Sequence, residues 1–83
     1  MEIDKETKKS VQARLNILLK GIVNVKISVT DYKTLLEKTP EDSEVNIGIR
    51  RMYADLMEEE KQHVERFREL ISQWEKKLKE LDS

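Results

Sequence analysis

Glu60 and His63 are the two side chains of this sequence whose types and spacing suit chemistry. They lie in the stretch LMEEEKQHVERFRELISQW, and a separation of three residues puts them about one helical turn apart on one face. A carboxylate and an imidazole so arranged are the donors that a carboxylate-bridged metal site needs. The spacing alone is a weak signal; the pattern around it strengthens the case. Apolar residues step by threes and fours through Ile49, Met52 and Leu56, then Phe67, Leu70 and Trp74, and the same stepping across the gap lands on Glu60 and His63. Buried without partners, such groups cost roughly 2–7 kcal/mol, so they must meet each other, water, a second chain or a metal. Three readings stand open: metal ligation, a buried metal-free Glu–His hydrogen-bond network, and a solvated face produced by a local shift of the seam.

Composition narrows the chemistry. The 83 residues contain no Cys, which excludes disulfides, thiolate catalysis and Cys-type zinc sites, and the single His leaves a hydrolase triad without support. Any His-rich site must draw on more than one chain. Two isolated Gly give no phosphate-binding loop. Sixteen basic residues against seventeen acidic ones point to neither nucleic acid nor an anionic membrane as partner. The longest apolar run is too short to span a bilayer, and MEIDKETKKS lacks the hydrophobic core of a signal peptide, so a cytoplasmic protein is expected. With 40% charged and 37% hydrophobic residues there is little material for an isolated core, and help from a partner chain is expected.

The elements that must position the pair are two helices in one domain spanning 1–83. Asp4 can cap a first helix running to about Lys38, with Thr7 to Ser10 as a later start. Its seam is Val11, Leu15, Leu18, Ile22, Val25, Val29, Tyr32 and Leu36, a bundle or coiled-coil pattern, and Leu19, Val23, Ile27 and Leu35 widen it enough to touch more than one neighbour. The β-branched run GIVNVKISVT admits a buried strand as competitor, against which the unbroken seam argues. Thr39-Pro40-Glu41-Asp42 reads as a stop and restart, with Ser43 as a second start. A second helix then covers about 44–81, with Met57, Val64, Ile71 and Leu78 as a ridge flanking its seam. Gly21 and Gly48 mark either close helix approach or tolerant surface. With the turn centred near residue 41 or 42, Glu60 and His63 should face positions 20 to 24. Asp31, the only interior acid of the first helix, would then lie two turns off, roughly 9–10 Å along the axis. Apolar surface on two sides of each helix predicts an all-α hairpin that dimerises into an antiparallel four-helix bundle, as a homodimer or a higher homo-oligomer.

With the pair on a bundle seam, YADLMEEEKQHVERFREL resembles the second helix of the rubrerythrin-type ferritin-like hairpin, and DYKTLLEKTPEDSEV resembles the end of its first helix and the turn. The resemblance covers roughly residues 21 to 70. It implies a ferritin-like bundle in which two hairpins supply a Glu from each first helix and a Glu-x-x-His from each second helix to a di-iron or di-manganese centre. Glu60 and His63 match the second-helix ligands. The first-helix ligand is absent, because aligning GIVNVKIS with the family's Ala-Ile-x-x-Glu-x-x-Ala puts Val25 where the Glu belongs.

The expectation is therefore a metal-binding protein with a site at the dimer interface, built from Glu60 and His63 of each chain around iron, zinc or manganese, without full di-iron oxidase activity. A metal-free structural or protein-interaction bundle is the alternative, and a di-metal oxidoreductase of ferroxidase or peroxidase type stands third. Glu58 and Glu59 read as solvated acids, with Glu59 the better spare ligand. Tyr32, Tyr53, Met52 and Met57 read as core, Trp74 as an interface or end-of-bundle anchor, and Arg50-Arg51 as partners of acids along their own helix.

Overall fold

Thr7 caps the first helix, its hydroxyl accepting the backbone N–H of Ser10 at 3.1 Å, and α1 follows over Lys8–Lys38. This is the later of the two expected starts; Asp4 lies outside residues 7–82, the part of the chain that the computed structural model describes. The β-branched run is helical throughout. Ser28, Thr30 and Thr34 turn their hydroxyls back to carbonyls four residues earlier, at 3.3, 3.3 and 3.0 Å, which satisfies them without leaving the helix.

Pro40 denies its predecessor the helical conformation, and Thr39 accordingly takes φ −88° and ψ 115°. The Thr39 N–H donates to the carbonyls of Leu35 and Leu36, and its hydroxyl donates to Leu35 at 2.8 Å. Thr39 thus closes the first helix and does not open the second. The second of the expected restarts is the one used: Ser43 accepts the Asn46 N–H at 3.1 Å and α2 runs over Glu44–Asp82.

The two helices pack antiparallel as a hairpin measuring 62 × 21 × 14 Å, one helix thick, with no strand among the described residues. Four cross-helix contacts fix its register. Lys8 pairs with Asp82; the Arg14 guanidinium lies 4.7 Å from the centre of the Trp74 ring; Gly21 abuts the Phe67 ring; and Arg50 donates to the carbonyls of Leu36 and Thr39, 2.6 Å each. Because Arg50 already reaches the end of α1, the turns of α2 before it project past that end. Val45 and Ile47 there are 71% and 43% exposed, and Gly48 has open space around it.

Among the described residues the buried apolar side chains are Val11, Leu15, Ile22 and Val64, Val11 completely so. The α1 seam is the expected one, with Leu18, Val25, Val29, Tyr32 and Leu36 half-buried along it. On α2 the expected seam residues Ile49, Leu56, Phe67, Leu70 and Trp74 are half-buried, Met52 is 50% exposed, and the flanking ridge is covered as well, with Val64 buried and Met57, Ile71 and Leu78 half-buried. Two apolar rows adjoin on this helix. Turning Val64 inward leaves the His63 imidazole in water, which avoids its desolvation cost. No helix of the described residues is long and apolar enough to cross a membrane.

Candidate metal centre

Glu60 and His63 come together on α2. Glu60 Oε1 and His63 Nδ1 are 3.0 Å apart, with the carboxylate side chain 22% exposed and the imidazole 62% exposed. Glu60 is thus at the edge of the helix contact, while His63, on the same flank, is largely open to solvent in the single chain. A carboxylate only accepts, so the proton at this contact belongs to Nδ1, and Nε2 points away from Glu60.

The same two atoms suit a metal. At the tetrahedral angle two bonds of about 2.1 Å hold their donor atoms about 3.4 Å apart, so Oε1 and Nδ1, 3.0 Å apart in their hydrogen bond, need separate by only a few tenths of an ångström to flank one ion. One chain provides only this half-site: among the described residues no group of three or more His, Cys, Asp or Glu could hold a metal ion. Glu58 and Glu59 are exposed; Glu59 lies one turn before His63 on its flank, whereas Glu58 falls on the far side of the helix from Glu60. A complete shell of four donors requires the same pair from a second chain.

The register corrects the level at which a first-helix ligand was sought. Continuing the ladder from Gly21–Phe67 and Arg14–Trp74 toward the turn sets Val25 opposite His63 and Ser28 opposite Glu60, some four residues nearer the turn than positions 20 to 24. Ser28 is committed to the Asn24 carbonyl. Asp31 falls opposite Met57, about 4.5 Å along the axis from the Glu60 level, closer than expected, but exposed and away from the pair. Tyr32 and Tyr53 are half-buried between the helices, consistent with core.

Around the pair, helical stepping puts Phe67, Leu70 and Trp74 on the same flank of α2, all half-buried, with Met52 and Leu56 toward the turn. This flank meets α1 along Arg14 and Gly21. Sequence reading missed the Arg14–Trp74 stacking, since two residues sixty positions apart carry no local signal of contact. It also misread Arg50, whose partners are the α1 carbonyls and Glu41 at 3.2 Å. No protein-family model, curated protein or solved structure matches this chain.

Proposed function

We propose that this chain is a self-associating helical hairpin that binds a divalent metal ion between two copies, with Glu60 and His63 of each chain as ligands. The observation that carries the reading is the 3.0 Å spacing of Glu60 Oε1 and His63 Nδ1 on a flank of α2 where the imidazole is 62% exposed. Association through that flank would cover Met52, Leu56 and Leu70 and bring two half-sites together, in the antiparallel four-helix arrangement of the ferritin-like hairpins that the sequence resembles. Four ligands, two carboxylate and two imidazole, suit one tetrahedral ion such as zinc, or a ligand-poor site for iron or manganese. With Val25 opposite His63, the carboxylates that balance the charge of two oxidising irons are missing, which favours metal binding over oxygen chemistry.

The test is metal titration of the purified protein beside its solution mass, on wild type and His63→Ala. Expected is one ion per two chains, lost in the variant. A dimer that takes up no zinc, iron or manganese sinks the metal reading.

A second reading has its own support. The pair is mutually hydrogen-bonded within one chain, so it needs no ion to be satisfied, and at an interface it would serve as a polar register pin in a protein-interaction bundle. In that case Glu60→Leu combined with His63→Leu yields a dimer as stable as wild type or more so.

A further inference from the structure

The hairpin has a second uncovered face, opposite the one that carries His63. Leu19, Val23 and Ile27 follow one another at steps of four along α1 and are 47%, 54% and 54% exposed. They sit on the flank of α1 turned away from Arg14 and Gly21, so association through the His63 flank leaves them open. Beside this row an open groove of about 470 Å³ runs between the helices, with Val29 and Val64 at its floor and Lys26, Lys61 and Arg68 on its walls. Glu65, the acid of that groove, is tied to Arg68 at 2.9 Å. Lys26 and Lys61 have no ion pair among the described residues, and Lys20 adjoins Leu19 and Val23 on the same face. Asp31 lies past Ile27 at the turn-ward end of the row.

An apolar row at helical spacing, a concave groove alongside it and uncompensated cations on both walls define the shape and sign of what fits. We infer that this face docks an amphipathic helix of a partner protein, its apolar ridge laid along Leu19, Val23 and Ile27 and its acidic flank set against Lys26 and Lys61. A second copy presenting the same face would set these lysines against their own like, which disfavours self-pairing here. A membrane surface is the poorer fit, since three half-exposed side chains beside a hollow offer no continuous apolar face to insert. The inference does not depend on Glu60 or His63.

The probe is a synthetic helical peptide of about 18 residues, five turns, with a leucine ridge flanked by glutamates, beside a counterpart with lysine flanks. Titrated by fluorescence anisotropy, the glutamate peptide should bind wild type at least about tenfold tighter than the lysine peptide, and Lys26→Glu with Lys61→Glu should reverse the order. Val23→Asp should abolish binding while leaving helicity and solution mass unchanged, and His63→Ala should bind as wild type does. Equal binding of the two peptides, or no binding of either, overturns the inference. So does a fall in solution mass on Val23→Asp, which would mean that a second copy covers the face. Binding to phosphatidylglycerol vesicles without binding to the glutamate peptide would overturn it in favour of a lipid surface.

Discussion

Whether a single methyl group helps or harms this hairpin depends on where its two glycines sit. A Cβ built on Gly21 would come within 2.6 and 2.8 Å of the Phe67 ring carbons Cε1 and Cζ, whereas one on Gly48 meets nothing within 4 Å. Alanine gains roughly 1 kcal/mol over glycine inside a helix, so Gly48→Ala should raise stability in urea by about 0.5–1 kcal/mol. At Gly21 the ring must move, and forcing it costs about 1–3 kcal/mol, enough to cancel the helical gain and leave Gly21→Ala neutral to destabilising by about 2 kcal/mol. Equal stabilisation by both changes would show that the helices do not approach as closely at Gly21 as described. The Val25 position invites the opposite kind of change. Since Val25 lies opposite His63, Val25→Glu adds a third donor per chain, and iron loading at fixed protein concentration should increase; no increase would count against the lost-ligand alignment.

Between the two helices, α1 was far more legible in the sequence than α2, for a physical reason. Along α1 each step of three or four from Val11 to Leu36 meets an aliphatic or aromatic residue, so the seam runs unbroken, with Leu19, Val23 and Ile27 as a shorter row beside it. On α2 two apolar rows adjoin, one through Met52, Leu56 and Leu70, the other through Met57, Val64 and Ile71, and periodicity cannot tell which one α1 covers. In the hairpin α1 lies over both, burying Val64 and touching Phe67 and Trp74, while the His63 imidazole stays 62% exposed. The Glu60–His63 pairing was readable because both residues sit on one helix at turn spacing; their distance from a first-helix donor was not, because that depends on how far α2 slides past α1. Arg50 sets that slide, and its charge pattern alone suggested a surface residue. Its guanidinium is only 27% exposed and donates to two terminal carbonyls of α1, where a cation also meets the negative end of the helix dipole. Arg50→Met should therefore cost about 1–2 kcal/mol and speed amide exchange at the end of α1, whereas exposed Arg51→Met should stay within about 0.5 kcal/mol. Matching losses for both would remove Arg50 from any special role in the register.

The whole hairpin is open for its length. Its radius of gyration is 18.7 Å, where a compact chain of this length has about 12 Å. It exposes 6615 Å², against about 5,200 Å² for a compact monomer of 9.8 kDa. Among the described residues four apolar side chains are buried while nine large apolar ones are exposed, so a single hairpin buries little apolar surface to offset the entropy of ordering two long helices, and the proposed association between chains would bury more. If folding and association are coupled in this way, mass action makes stability depend on protein concentration, by about 1.4 kcal/mol per dimer for each tenfold change. For a unit of this size that corresponds to a rise in melting temperature of about 3–6 °C per tenfold increase in concentration. The effect should reside on the flank that bears His63. Met52 is half exposed and belongs to that flank, so Met52→Asp should lower the melting temperature and flatten its concentration dependence while the helices still form at high concentration. Val23→Asp, on the opposite face, should leave the slope unchanged. A melting temperature constant over a hundredfold range of wild-type concentration would mean that the hairpin is stable alone, and the Glu60–His63 pairs would then have no second chain to complete them.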